Sequence, residues 1–154
     1  MRMSINLALS GTVTFAPPPA AEEPGGGGAV NLWPQETFDS GAGLTLIRSS
    51  VSGGQLTLSP EDNDGDVMFS QASAAAAQPL AVGTYRVQFT LVSSNGPSAN
   101  VNIAGTAVSS ATSSVGNFDA EVAVPSISSQ FITVQSEDAP GSIVIDNLIV
   151  TKIA

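Results

Sequence analysis

The chain has 154 residues, enough for one ordinary domain and an arm. It contains no cysteine and no histidine, which removes disulfides, Ser/His and Cys/His catalytic arrangements, and the usual zinc ligands. Thirteen acids against four bases (Arg2, Arg48, Arg86, Lys152) give a formal charge of -9, which repels phosphate backbones and anionic lipid surfaces, so neither nucleic acid nor a membrane is an expected partner.

Residues 3 to 15 alternate apolar and polar side chains, with Met3, Ile5, Leu7, Leu9, Val13 and Phe15 on one face and Gly11 as the one gap. This is a period-2 strand pattern with an apolar face to bury. A secretory signal needs a continuous apolar core, so the alternation argues against one. A stiff Pro17-Pro18-Pro19 spacer, Glu22-Glu23 and the run Gly25 to Gly28 follow. The expected division is a β-strand arm at 1–15, a Pro/Gly-rich linker at 16–30 and a main domain at 31–154. A tethered strand suits β-addition to a sheet elsewhere, either on a partner chain or at the edge of its own domain.

From Asn31 onward, short β-branched and apolar runs are separated by turn residues. The predicted strands are 44–48, 55–59, 66–70, 84–93, 100–104, 118–124, 130–136 and 142–152, with Ala72 to Ala77 as a helical turn ended by Pro79. About eight strands without a long helix-period segment predict an all-β, antiparallel jelly-roll sandwich. The closing run, Ile143 to Val150, is apolar at both parities and reads as a strand buried on both faces, with Asp146 an acid in need of a partner. The acidic cluster Glu61 to Asp66 has alternating aspartates, but Val67 and Ser73 stand where a calcium loop requires Gly and Glu, so a solvated turn is expected. No apolar run approaches the roughly 20 residues of a membrane helix.

Three landmarks in order, Asn31-Leu32 through Phe38-Asp39-Ser40-Gly41, then Gly83-Thr84-Tyr85, then Ile145-Asp146-Asn147-Leu148, resemble jelly-roll carbohydrate-binding modules with a galactose-binding-like fold, a kind of domain also found on bacteriophage particles. The resemblance implies a structural calcium held by Asp39 and Asp146. It also implies glycan contact through exposed aromatic rings, for which Trp33 is the candidate; Tyr85 and most Phe residues read as core. The expected function is a non-enzymatic virion structural protein, a capsid decoration or short fibre protein. Its arm would contact other virion proteins (capsid, portal or tail), its sandwich would lie on the virion surface, and a homo-oligomer is compatible with both. The alternatives are a module binding host-surface glycans or receptors, and a secreted carbohydrate-binding domain. No carboxylate pair is singled out for glycoside hydrolysis, so no enzymatic activity is expected.

Overall fold

The computed structural model describes residues 29–107 and 112–154. The arm residues Met3, Ile5, Leu7, Leu9, Val13 and Phe15, and all of the linker before Ala29, lie outside the described residues. Twelve strands occur in chain order: β1 (Thr45–Ile47), β2 (Ser49–Ser52), β3 (Gln55–Leu58), β4 (Glu61–Asn63), β5 (Asp66–Met68), β6 (Ser70–Ala75), β7 (Gly83–Ser94), β8 (Asn100–Ile103), β9 (Thr106–Ala107), β10 (Gly116–Val124), β11 (Phe131–Ser136) and β12 (Ile143–Lys152). Sheet I has the order β1-β6-β11-β8-β9, sheet II the order β10-β7-β12-β3-β2, and β4 and β5 form a separate ribbon. All pairings are antiparallel.

This is the predicted sandwich, with more strands than the eight read from sequence. The additional ones are β2, β4, β6 and β9, short or small-residue segments whose periodicity is weak. β6 replaces the expected helical turn: Ala72 and Ala74 are buried, and the strand is paired on both sides by β1 and β11. Alanine favours a helix locally, but two ladders of hydrogen bonds and burial override that preference. The Glu61–Asp66 cluster is a hairpin turn, with Asp64 (φ 55) and Gly65 (φ 93) left-handed and the Gly65 N–H donating to Asp62 Oδ1.

The core lies between the sheets. It takes Tyr85, Val87, Phe89 and Leu91 from β7, Leu56 and Leu58 from β3, Val101 and Ile103 from β8, and Ile132 and Val134 from β11. β12 does not have two buried faces. Ile143 and Ile145 point inward, and then Leu148 and Val150 do. The parity changes because Asp146 pairs with Thr90 and Ile149 with Gln88, so β12 carries one residue more than β7 over that interval, and Asn147 takes φ 54. This β-bulge turns a run that is apolar at both parities into a strand with one apolar face.

Each landmark of the sequence has a local cause. Asn31 fastens the start of the domain to β12: its Nδ2 donates to the Leu148 carbonyl, and its Oδ1 accepts from the N–H groups of Val150 and Trp33, all at 2.9–3.1 Å. At Gly83 (φ 154) a Cβ would sit 2.1 Å from the Ala154 carbonyl oxygen, so only glycine lets the chain end pass. Two positions on, the fully buried Tyr85 donates its hydroxyl to the Ala81 carbonyl. Asn31→Ala removes three bonds at a part-buried seam and is expected to lower unfolding free energy by about 2 kcal/mol. Urea denaturation checks this, with Asn31→Asp, which retains the acceptor, losing less.

Candidate functional site

The outward face of sheet I is built by alternation. With Ala72 and Ala74, Ile132 and Val134, and Val101 and Ile103 turned inward, the intervening residues must point out. Register then sets them in rows across the sheet. Gln71, Gln135 and Asn100 face one another on β6, β11 and β8, and Ser73, Thr133 and Asn102 form the next row. Thr45 of β1 extends the second row beside Ser73.

Three properties distinguish this face. No Asp, Glu, Lys or Arg stands on its strands β1, β6, β8, β9 and β11. Apart from the exposed Thr45, its amides and hydroxyls are half-buried or nearly buried although they point away from the core. Among the described residues, the side chains of Gln71, Ser73, Asn100, Asn102, Thr133 and Gln135 make no hydrogen bond to one another, and Asn100 Oδ1 is buried without any partner. Partly desolvated polar groups with unused donors and acceptors are a surface that gains by binding a neutral, hydroxyl-rich ligand.

Aromatic rings flank the rows. Phe131, the first residue of β11, is 51% exposed, and Phe69, which precedes β6 on the outward parity, is 41% exposed. Six residues of β6 separate the level of Phe69 from Ala75, the partner of Phe131, a span of roughly 20 Å. These two rings are the exceptions to the expectation that most Phe residues belong to the core, which Phe38, Phe89 and Phe118 meet. The outward parity of Phe131 is legible in Phe131-Ile132-Thr133-Val134, where the aliphatic residues Ile132 and Val134 mark the inward row.

Trp33, the ring expected to contact glycan, is 1% exposed and packs edge-to-face on Phe38 at 6.1 Å. It fills the core where Asn31 and Leu32 lie along β12, and it offers no face to a sugar.

The outward face of sheet II is of a different kind. Arg86 grips Asp119 with both Nε (2.8 Å) and Nη2 (2.5 Å), Gln88 donates to the same carboxylate, and Thr90 donates to Asn117. The hydrogen bond from Arg86 holds the Asp119 carboxyl below the usual aspartate range and raises Arg86 in turn. A depression of about 310 Å³ lies over Gln88, Thr90, Asn117, Asp119, Asn147 and Ile149. Its polar groups are largely spent on each other.

The two carboxylates expected to hold calcium have local partners. Asp39 is exposed and accepts from Thr37 Oγ1 at 2.9 Å, and Asp146 is partly exposed at the bulge and accepts from the Asn147 N–H at 2.8 Å. Among the described residues no three acidic side chains gather where a metal could sit. The buried acid of the sequence reading is thus a bulge residue, partly open to solvent and bonded to a backbone N–H. Melting curves with and without EDTA test the calcium expected at Asp39 and Asp146: a lower melting temperature in chelator would show it bound, and coinciding curves would remove it.

No protein-family model matches the chain, and no curated protein sequence matches it. Solved structures do resemble it. The enzymatically active domain of bacteriophage CBA120 tailspike protein 4 aligns with a TM-score of 0.51 and 13% identity over 80% of this chain, which spans 21% of that one. A CBM61 module in complex with β-1,4-galactotriose aligns at 0.47 with 15% identity, over 81% of this chain and 100% of the module. The CBM35 module of Paenibacillus barcinonensis aligns at 0.48 with 19% identity, over 73% and 94%. At these identities the likeness is one of fold, and the all-β antiparallel sandwich expected from sequence is the fold found.

Proposed function

We propose that the protein is a non-enzymatic module that binds a neutral glycan across the outward face of sheet I. The observation that carries this reading is the set of amides and hydroxyls, Gln71, Gln135, Asn100, Ser73, Thr133 and Asn102, whose side chains have no hydrogen-bond partner among the described residues, in rows between the exposed rings of Phe69 and Phe131. Amide groups donate to and accept from sugar hydroxyls, and the rings take the apolar faces of sugar rings. The strands of this face carry no acid, so general acid and base chemistry has no residue there. With a formal charge of -9, uronate-rich and sulfated glycans are repelled. A panel of immobilised neutral and acidic oligosaccharides tests this: retention on neutral members alone is the expected result, and retention on none, or on acidic ones only, overturns it.

The likeness to the tailspike domain favours a second reading, in which the module sits on the surface of a bacteriophage particle. Antibody labelling of purified particles in the electron microscope tests this location, and absence of label from every particle would end it.

A further inference from the structure

Phe69 and Phe131 stand beside neighbouring strands but at opposite ends of them. Phe69 comes just before β6, and Phe131 opens β11 opposite Ala75, the last residue of β6. Because β6 and β11 are adjacent and antiparallel, the separation of roughly 20 Å between the rings runs mainly along the strands. The polar rows fall between them. From Phe131 toward Phe69, a line over this strand pair meets Ala75, then the hydroxyls of Ser73 and Thr133, then the amides of Gln71 and Gln135, and then the second ring.

Burial gives this line its relief. Ser73 is nearly buried, and Thr133, Gln71 and Gln135 are half-buried, whereas Ala75 and both rings are exposed. The rows therefore form a polar floor with an apolar ring at each end. No charged residue stands on β6 or β11, so no single ionic contact dominates and affinity has to accumulate along the floor.

Length then separates ligands. A single sugar or a disaccharide is shorter than the distance between the rings, so it covers one ring and the nearer row. Each such half-site carries the whole loss of translational and rotational freedom on a few contacts. A chain that reaches both rings makes its second set of contacts within one complex, at a high effective concentration, and that freedom is lost only once.

We infer that the site takes a linear, extended stretch of a neutral glycan long enough to lie on Phe69 and Phe131 at once, and that mono- and disaccharides are held weakly at one ring. The inference rests on the reading of sheet I as a glycan-binding face and adds the class of ligand, a chain and not an isolated sugar.

Calorimetric titration of the full chain with disaccharides and hexasaccharides of the β-1,4-linked glucose, mannose and galactose series tests it. In the series that binds, the hexasaccharide is expected to bind at least about tenfold more tightly than the disaccharide, a larger gain than its overlapping disaccharide positions supply by number alone. Phe69→Leu and Phe131→Leu keep apolar bulk at exposed positions without a ring face, and each should remove most of that gain. A gain of less than about tenfold in the wild type, or one that both leucine variants retain, overturns the inference while leaving sheet I as a glycan site. So does a protein that retains other neutral glycans but binds none of the three hexasaccharides. Failure to retain any neutral glycan on the immobilised panel removes the glycan reading itself, and this inference with it.

Discussion

Replacing Trp33 with alanine is expected to cost about 3–5 kcal/mol of unfolding free energy, the range for emptying a large aromatic site in a core. The ring is 1% exposed, meets Phe38 edge-to-face, and lies in the segment that Asn31 ties to β12. For a domain of this size the melting temperature should fall by on the order of 10 °C or more. Because Trp33 is the only tryptophan, its loss removes the fluorescence probe, so the transition is to be followed by circular dichroism. Trp33→Phe should recover a large part of the loss. A variant that melts like the wild type would show that this segment does not belong to the core. Glycan retention per folded molecule should survive the substitution, which separates a core role from a binding role.

Asn102→Ala together with Gln135→Ala is expected to weaken binding of whichever neutral oligosaccharide the wild type retains by about tenfold or more. Each amide lost removes a hydrogen bond worth about 0.5–1.5 kcal/mol net, and tenfold corresponds to about 1.4 kcal/mol. The two residues sit in different rows of sheet I, on β8 and β11, so a ligand that depends on both must lie across the sheet. Isothermal titration calorimetry measures the change. Arg86→Ala on sheet II serves as the control, since its guanidinium is bound to Asp119 on the opposite side of the sandwich. Equal affinity of the double variant and the wild type would remove sheet I as the site; a loss seen with Arg86→Ala instead would move the site to the depression on sheet II.

The polar rows were present in the sequence as Asn100-Val101-Asn102-Ile103 and Thr133-Val134-Gln135, each with a polar residue at every second position. That alternation shows which residues share a face of one strand. It says nothing about which strands lie side by side, and Asn102 and Thr133 are neighbours only because β8 pairs with β11 in the register found. The tryptophan and the acids stand out along the chain because their residue types carry chemistry individually. An uncharged face acts through an array, and an array exists only after pairing.

The sequence by itself determined the class of the fold. Period-2 alternation and turn residues act over a few positions, so most predicted strands from Leu44 onward lie within a few residues of the observed ones. Composition, likewise local and additive, excluded histidine and cysteine chemistry. Tertiary structure decided the rest. The bulge at Asn147 reversed the parity of β12, so Asp146 came to a partly exposed position instead of a buried one. Burial of Trp33 depended on how the opening segment crosses β12, and the strand state of Ser70–Ala75 on partners more than 20 residues away in β1 and more than 50 away in β11. These outcomes are set by pairing and packing between distant segments, and their energies exceed the propensities that can be read along the chain.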